Sequence, residues 1–221
     1  QILYESAFRS GTYYLSKDDI SRTWYSMQYA ENGQLSSYDH TWLPLQFITV
    51  GTLGSLMENN FFSAMKYLNY CLSLFTVFLG FFSVFIATRN LISTIMAGIL
   101  AVSAPWQTFS ILMGFAGPYA WLGIMLVIFS LVCLSVNNSI KSVYFFSILG
   151  SSGVIISCLS RYEAWLFAPG FVAGLLLLSC NSAIKSNPEN RKKDVLLRLP
   201  AITIATILSF MPIFWWLNVQ Y

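Results

Sequence analysis

Between Met65 and Leu217 the chain holds six stretches of about 20 apolar residues, the length needed to cross a bilayer, each bounded by short polar punctuation. They are Met65–Ala87, Leu91–Phe109, Tyr119–Val136, Val143–Ser160, Glu163–Cys180 and Leu199–Leu217. Phe, Leu and Ile dominate them without two-residue alternation, so the pattern predicts helices and excludes a transmembrane barrel. Only 10% of the chain is charged, against about 25% in a soluble domain. The sequence therefore predicts an all-α, polytopic transmembrane helix bundle. Trp106, Tyr119, Trp121, Trp165, Trp215 and Trp216 fall near the expected span ends, as interfacial aromatics do.

Lys185, Arg191, Lys192, Lys193 and Arg198 face only Glu189 and Asp194 in one connecting segment, which the positive-inside rule puts in the cytoplasm at 181–198. Counting back through the spans puts Arg89 and Lys141 inside too. The N-terminal segment, the 110–118 loop and the Arg161–Tyr162 turn then lie outside. Seven of the nine acidic residues (Glu5, Asp18, Asp19, Glu31, Asp39, Glu58 and Glu163) face outward in this arrangement. Residues 1–62 accordingly read as an outer-face loop with interfacial helices, and 63–221 as a bundle of about six helices.

Trp42–Met57 is apolar but spans only about 24 Å as a helix, against a hydrocarbon core of about 30 Å. With Pro44 at its start and Gly51 and Gly54 inside, it is expected to be interfacial or re-entrant. The abrupt start at Gln1 and the stop just beyond a span lead us to expect an N-terminal fragment of a longer protein.

Net charge is +3, with no basic run interleaved with aromatics, so nucleic acid is not an expected partner. Cys71, Cys133, Cys158 and Cys180 all sit in apolar stretches without ligand spacing and read as packing residues. The one long polar outer stretch is 12–46. Ser16 can cap a helix over Lys17–Glu31, with Ile20, Trp24 and Met27 on one apolar face and Gly33 closing it. Asp18 and Asp19 lie one turn before Arg22, which allows the three to sit together. Compensation of the helix dipole would equally account for the two acids. Asp39 and His40 are adjacent, but two neighbouring side chains do not make a coordination sphere. Arg161 and Glu163 interrupt an otherwise apolar run. An ionisable pair at the hydrocarbon edge is a functional candidate, with a simple turn and a snorkelling arginine as the competing account.

The order of these features is familiar. Asp18-Asp19, Arg22, Ala30 and Gly33 precede Trp42-Leu43-Pro44-Leu45, a span ending Ala104-Pro105-Trp106, and Ser160-Arg161-Tyr162-Glu163-Ala164-Trp165. This resembles the GT-C class of membrane glycosyltransferases, which includes protein mannosyltransferases and aminoarabinose transferases, and is nearest in texture to prokaryotic members. The resemblance implies inverting transfer of a hexosyl-type sugar from a polyprenyl-phosphate-linked donor to a lipid, glycan or protein acceptor. That chemistry would take place on the non-cytoplasmic face of a prokaryotic plasma membrane. It gives Asp19 the role of catalytic base, or of positioning acceptor or metal, with Asp18 second, and gives the carrier phosphate to Arg161 with Arg22 as helper. Asp39, His40, Glu163 and Trp42 become candidate substrate or metal contacts, and a divalent cation the cofactor the resemblance allows. One departure stands out: many relatives carry an acid where this chain has Gly114-Phe115-Ala116-Gly117-Pro118. The alternative reading is a non-catalytic membrane component, a carrier-lipid transporter or an assembly subunit.

Overall fold

The computed structural model describes residues 17–33, 43–103, 114–137, 139–185 and 188–220, excluding the side chains of 17–19, 102, 183, 185, 188–193 and 220. Every regular element among them is helical. In chain order they are α1 (Lys17–Asn32), α2 (Leu45–Leu56), α3 (Phe61–Thr88), α4 (Leu91–Val102), α5 (Gly117–Val136) and α6 (Ile140–Cys158). A short 3-10 helix (Tyr162–Leu166), α7 (Phe167–Lys185) and α8 (Pro188–Gln220) complete the set. Five stretches are long and apolar enough to cross a membrane: α3, α5, α6, the 3-10 helix running into α7, and the part of α8 from Asp194.

Local signals set the boundaries. The Asn60 side chain accepts from the Ser63 N–H at 3.1 Å and starts α3 four residues before the expected Met65. α3 stops at Arg89, whose φ of 52° is left-handed. Asn90 then caps α4 by accepting from the Ile92 and Ser93 N–H groups at 2.9 and 3.3 Å. Gly117-Pro118 opens α5, with proline where a missing N–H costs nothing. The 181–198 segment is largely helical, because α7 runs on to Lys185 and α8 begins at Pro188.

The 12 residues of α4 cover about 18 Å, too short to cross alone. Asn69, eight residues into α3, donates to the Phe115 carbonyl just before α5, whereas Arg89 lies about 30 Å farther along α3. Leu91 and Gly114 therefore lie near opposite ends of α3.

Among the described residues, two clusters make the core. The larger joins Val127 and Leu134 of α5, Val154 of α6, Phe171 of α7 and Ala201 and Ala205 of α8. The smaller joins Val50 of α2 to Phe61, Phe62 and Met65 of α3, with Met27 and Ala30 of α1 against it. α5 and α6 touch backbone to backbone: a Cβ on Gly153 would stand 2.5 Å from the Gly123 carbonyl oxygen. Small residues bring membrane helices this close. The outward faces stay apolar; Phe75, Phe78 and Phe82 of α3 are at least half exposed. Such a face fits hydrocarbon surroundings and is far larger than water-exposed surfaces tolerate.

α1 departs from its expected face. Met27 packs inward, but Ile20 and Trp24 are exposed, and the fully covered residues are Thr23 and Ser26. The cause is a close crossing, in which a Cβ on Gly51 would lie 2.6 Å from the Ser26 carbonyl oxygen. Only small side chains fit there, so the bulky Ile20 and Trp24 turn outward.

Candidate functional site

α1 and α2 run in the same sense. Arg22 meets Gln46, the Tyr25 ring lies 5.7 Å from that of Phe47, and Ser26 faces Gly51. Their N-terminal ends therefore lie together. α2 is in turn joined to the end of α6, where the Leu45 N–H donates to the Leu159 carbonyl at 3.2 Å. Segments distant in sequence (α1, the start of α2, 114–119 and the turn after α6) thus gather at one end of the bundle.

Gln46 is the junction. It is fully buried, the one amide side chain in a mostly apolar helix. Its Oε1 accepts from Arg22 Nη1 at 2.6 Å, and its Nε2 donates to the Gly114 carbonyl at 2.7 Å. A buried amide costs several kcal/mol unless paired, and here both ends of the amide have a partner, one of them charged. Gly114 has φ of 66°, a left-handed conformation that glycine adopts freely and that turns its carbonyl to this amide. One turn on, the Thr49 hydroxyl lies 2.9 Å from the Leu45 carbonyl and 2.8 Å from the Tyr119 hydroxyl. With the threonine proton given to the carbonyl, the tyrosine is the donor between them. Asn69 adds its bond to Phe115 at 3.1 Å. The 114–119 segment is thus tied to α2 and α3 by side-chain amides and hydroxyls.

Arg161 and Glu163 pair directly. Arg161 Nη2 lies 3.1 Å from Glu163 Oε1, and Nε lies 3.3 Å from Oε2. Both side chains are exposed, at 42% and 73%. The aromatic neighbours are ordered around them: Trp216 Nε1 donates to the Tyr162 hydroxyl at 3.0 Å, and the Tyr162 and Trp165 rings meet edge-on at 5.2 Å.

The residues proposed from sequence divide accordingly. Arg22 is half buried and bonded to Gln46, and Arg161 and Glu163 form one ion pair. Asp18 and Asp19 occupy the first turn of α1, one turn before Arg22, with side chains outside the description. Asp39, His40 and Trp42 lie outside the described residues. Among the described residues, no three His, Cys, Asp or Glu side chains come together as metal ligands. The sequence does not single out Gln46, Thr49 or Asn69, and marks Tyr119 only as an interfacial aromatic. A lone amide inside an apolar helix was the available signal, because such a group must find a partner.

Chemically, this end offers a guanidinium fixed in a polar network, a second guanidinium at the surface and carboxylates close by in sequence. Cations of this kind hold phosphate and carboxylate groups. No family model, curated protein or solved structure matches the chain.

Proposed function

We propose that the chain is the catalytic part of a GT-C-like membrane glycosyltransferase. It moves a sugar from a polyprenyl-phosphate-linked donor to a lipid, glycan or protein acceptor, on the non-cytoplasmic face of a prokaryotic plasma membrane. One observation carries this reading: Arg22, Gln46, the Arg161 turn and the first turn of α1 with Asp18 and Asp19 gather at one end of an apolar bundle. Sugar transfer from a phosphate carrier needs a base for the acceptor hydroxyl and a cation for the departing phosphate. Asp19, backed by Asp18, supplies the base; Arg161, helped by Arg22, supplies the cation. Asp39, His40 and Trp42 are left for substrate or metal contacts. The test is sugar transfer from a polyprenyl-phosphate donor by the protein in proteoliposomes. Transfer that falls with Arg161→Ala supports the reading, and donor binding untouched by that change removes it.

A non-catalytic role, as a carrier-lipid transporter or assembly subunit, draws on a different observation. α3 and α4 present broad apolar faces, including Phe75, Phe78, Ile92 and Leu100. Carrier binding without transfer under any acceptor would favour that role.

A further inference from the structure

The turn carrying Arg161 is fixed by bonds that leave its charged side chains out. The Arg161 N–H donates to the Ser157 carbonyl at 3.0 Å, and the Ala164 N–H to the Arg161 carbonyl at 3.1 Å. The Trp165 indole donates to the Cys158 carbonyl at 3.0 Å, the Trp216 indole holds the Tyr162 hydroxyl, and Ala164 is buried between them. Against this frame the Arg161 guanidinium meets both oxygens of Glu163, using Nε and Nη2. Two parallel N–H donors on one anion is the geometry with which arginine holds phosphate. The carboxylate thus occupies the place a phosphate would take, in an exposed pair of the kind that is weakly held.

We infer that Glu163 is a built-in competitor of a lipid-borne phosphate: the headgroup binds Arg161 by displacing the Glu163 carboxylate, and Glu163 sets the affinity of the site. This rests on the reading of Arg161 as the phosphate-holding group. A phosphate monoester carries more charge and more acceptor oxygens than a carboxylate, so the free carrier phosphate wins the exchange at the membrane surface. Only side-chain rotation is required of Glu163, because the backbone on either side is held by the indole and main-chain bonds. The displaced carboxylate is 73% exposed and returns to water.

The experiment measures Kd for a polyprenyl phosphate in phosphatidylcholine nanodiscs holding the wild type, Glu163→Gln, Glu163→Ala or Arg161→Ala. Removing the competitor should tighten binding about two- to fivefold in both Glu163 variants, as expected for release of an exposed ion pair. Arg161→Ala should weaken binding by about tenfold or more. Glu163 variants that bind no better, beside an Arg161→Ala that binds worse, overturn the competitor role and leave the Arg161 assignment intact. An unchanged Arg161→Ala overturns the assignment itself. Millimolar inorganic phosphate should leave carrier binding intact; loss of binding in that buffer would overturn a lipid-borne source.

Discussion

Gln46 shows how much one neutral side chain can organise. It joins the Arg22 guanidinium to a main-chain carbonyl 68 residues away in sequence, through bonds of 2.6 and 2.7 Å. Gln46→Leu keeps the bulk, removes both bonds and leaves the Gly114 carbonyl without its amide donor. We expect a loss of about 2–3 kcal/mol in stability, read from unfolding in mixed micelles. A double-mutant cycle with Arg22→Ala should return a coupling of about 0.5–3 kcal/mol, and additive losses would show that the bond contributes nothing. The charged members of the site could be read from sequence, because an ionisable residue beside hydrocarbon is conspicuous. Gln46 and Asn69 could not be placed, since each takes its meaning from a partner supplied by the distant 114–115 backbone.

Helix packing is governed by where side chains are missing. Gly153 faces the Gly123 carbonyl, so Gly153→Val should force α5 and α6 apart and cost about 1–3 kcal/mol. Gly80 has nothing nearer to a new Cβ than the Met125 sulfur at 3.9 Å. Gly80→Ala should therefore be neutral or stabilising by up to about 1 kcal/mol. Equal losses from the two substitutions would contradict the crossing described here. Arg89 ends α3 in a left-handed conformation that burdens any residue with a Cβ, so Arg89→Gly should raise stability by about 1 kcal/mol. Five of the six span positions were legible because hydrocarbon length and residue rise fix them together; of the sixth, Leu91–Phe109, the described part is the short helix α4 and the rest lies outside the described residues. The inward face of α1 was not legible. Ile20, Trp24 and Met27 form a proper helical stripe, yet the Ser26–Gly51 approach selects a face by closeness rather than by apolarity.

The bundle as a whole has two ends. The Glu58–Asn60 turn, the start of α5 and the Arg161 turn belong to one, and Arg89-Asn90 and Asn137 to the other. In a protein stripped of its own four cysteines, Asn59→Cys should react with an impermeant maleimide in intact cells and Asn90→Cys should not. The reverse pattern would put the candidate site in the cytoplasm. The positive-inside count gives this orientation from the basic segment near Arg198. Span length and spacing do not bring α1, α2 and the Arg161 turn together, which only the resemblance implies, because bonds such as that from Leu45 to Leu159 close over more than a hundred residues. What decides the function is whether that meeting place does chemistry. The direct measurement is single-turnover sugar transfer beside donor binding for Asp19→Asn, with Asp18→Asn in parallel. Asparagine keeps the shape of aspartate but cannot take a proton at neutral pH. Asp19→Asn should therefore lose about 10²–10⁴-fold in transfer, with donor Kd nearly unchanged. Wild-type transfer rates from both variants would contradict the mechanism.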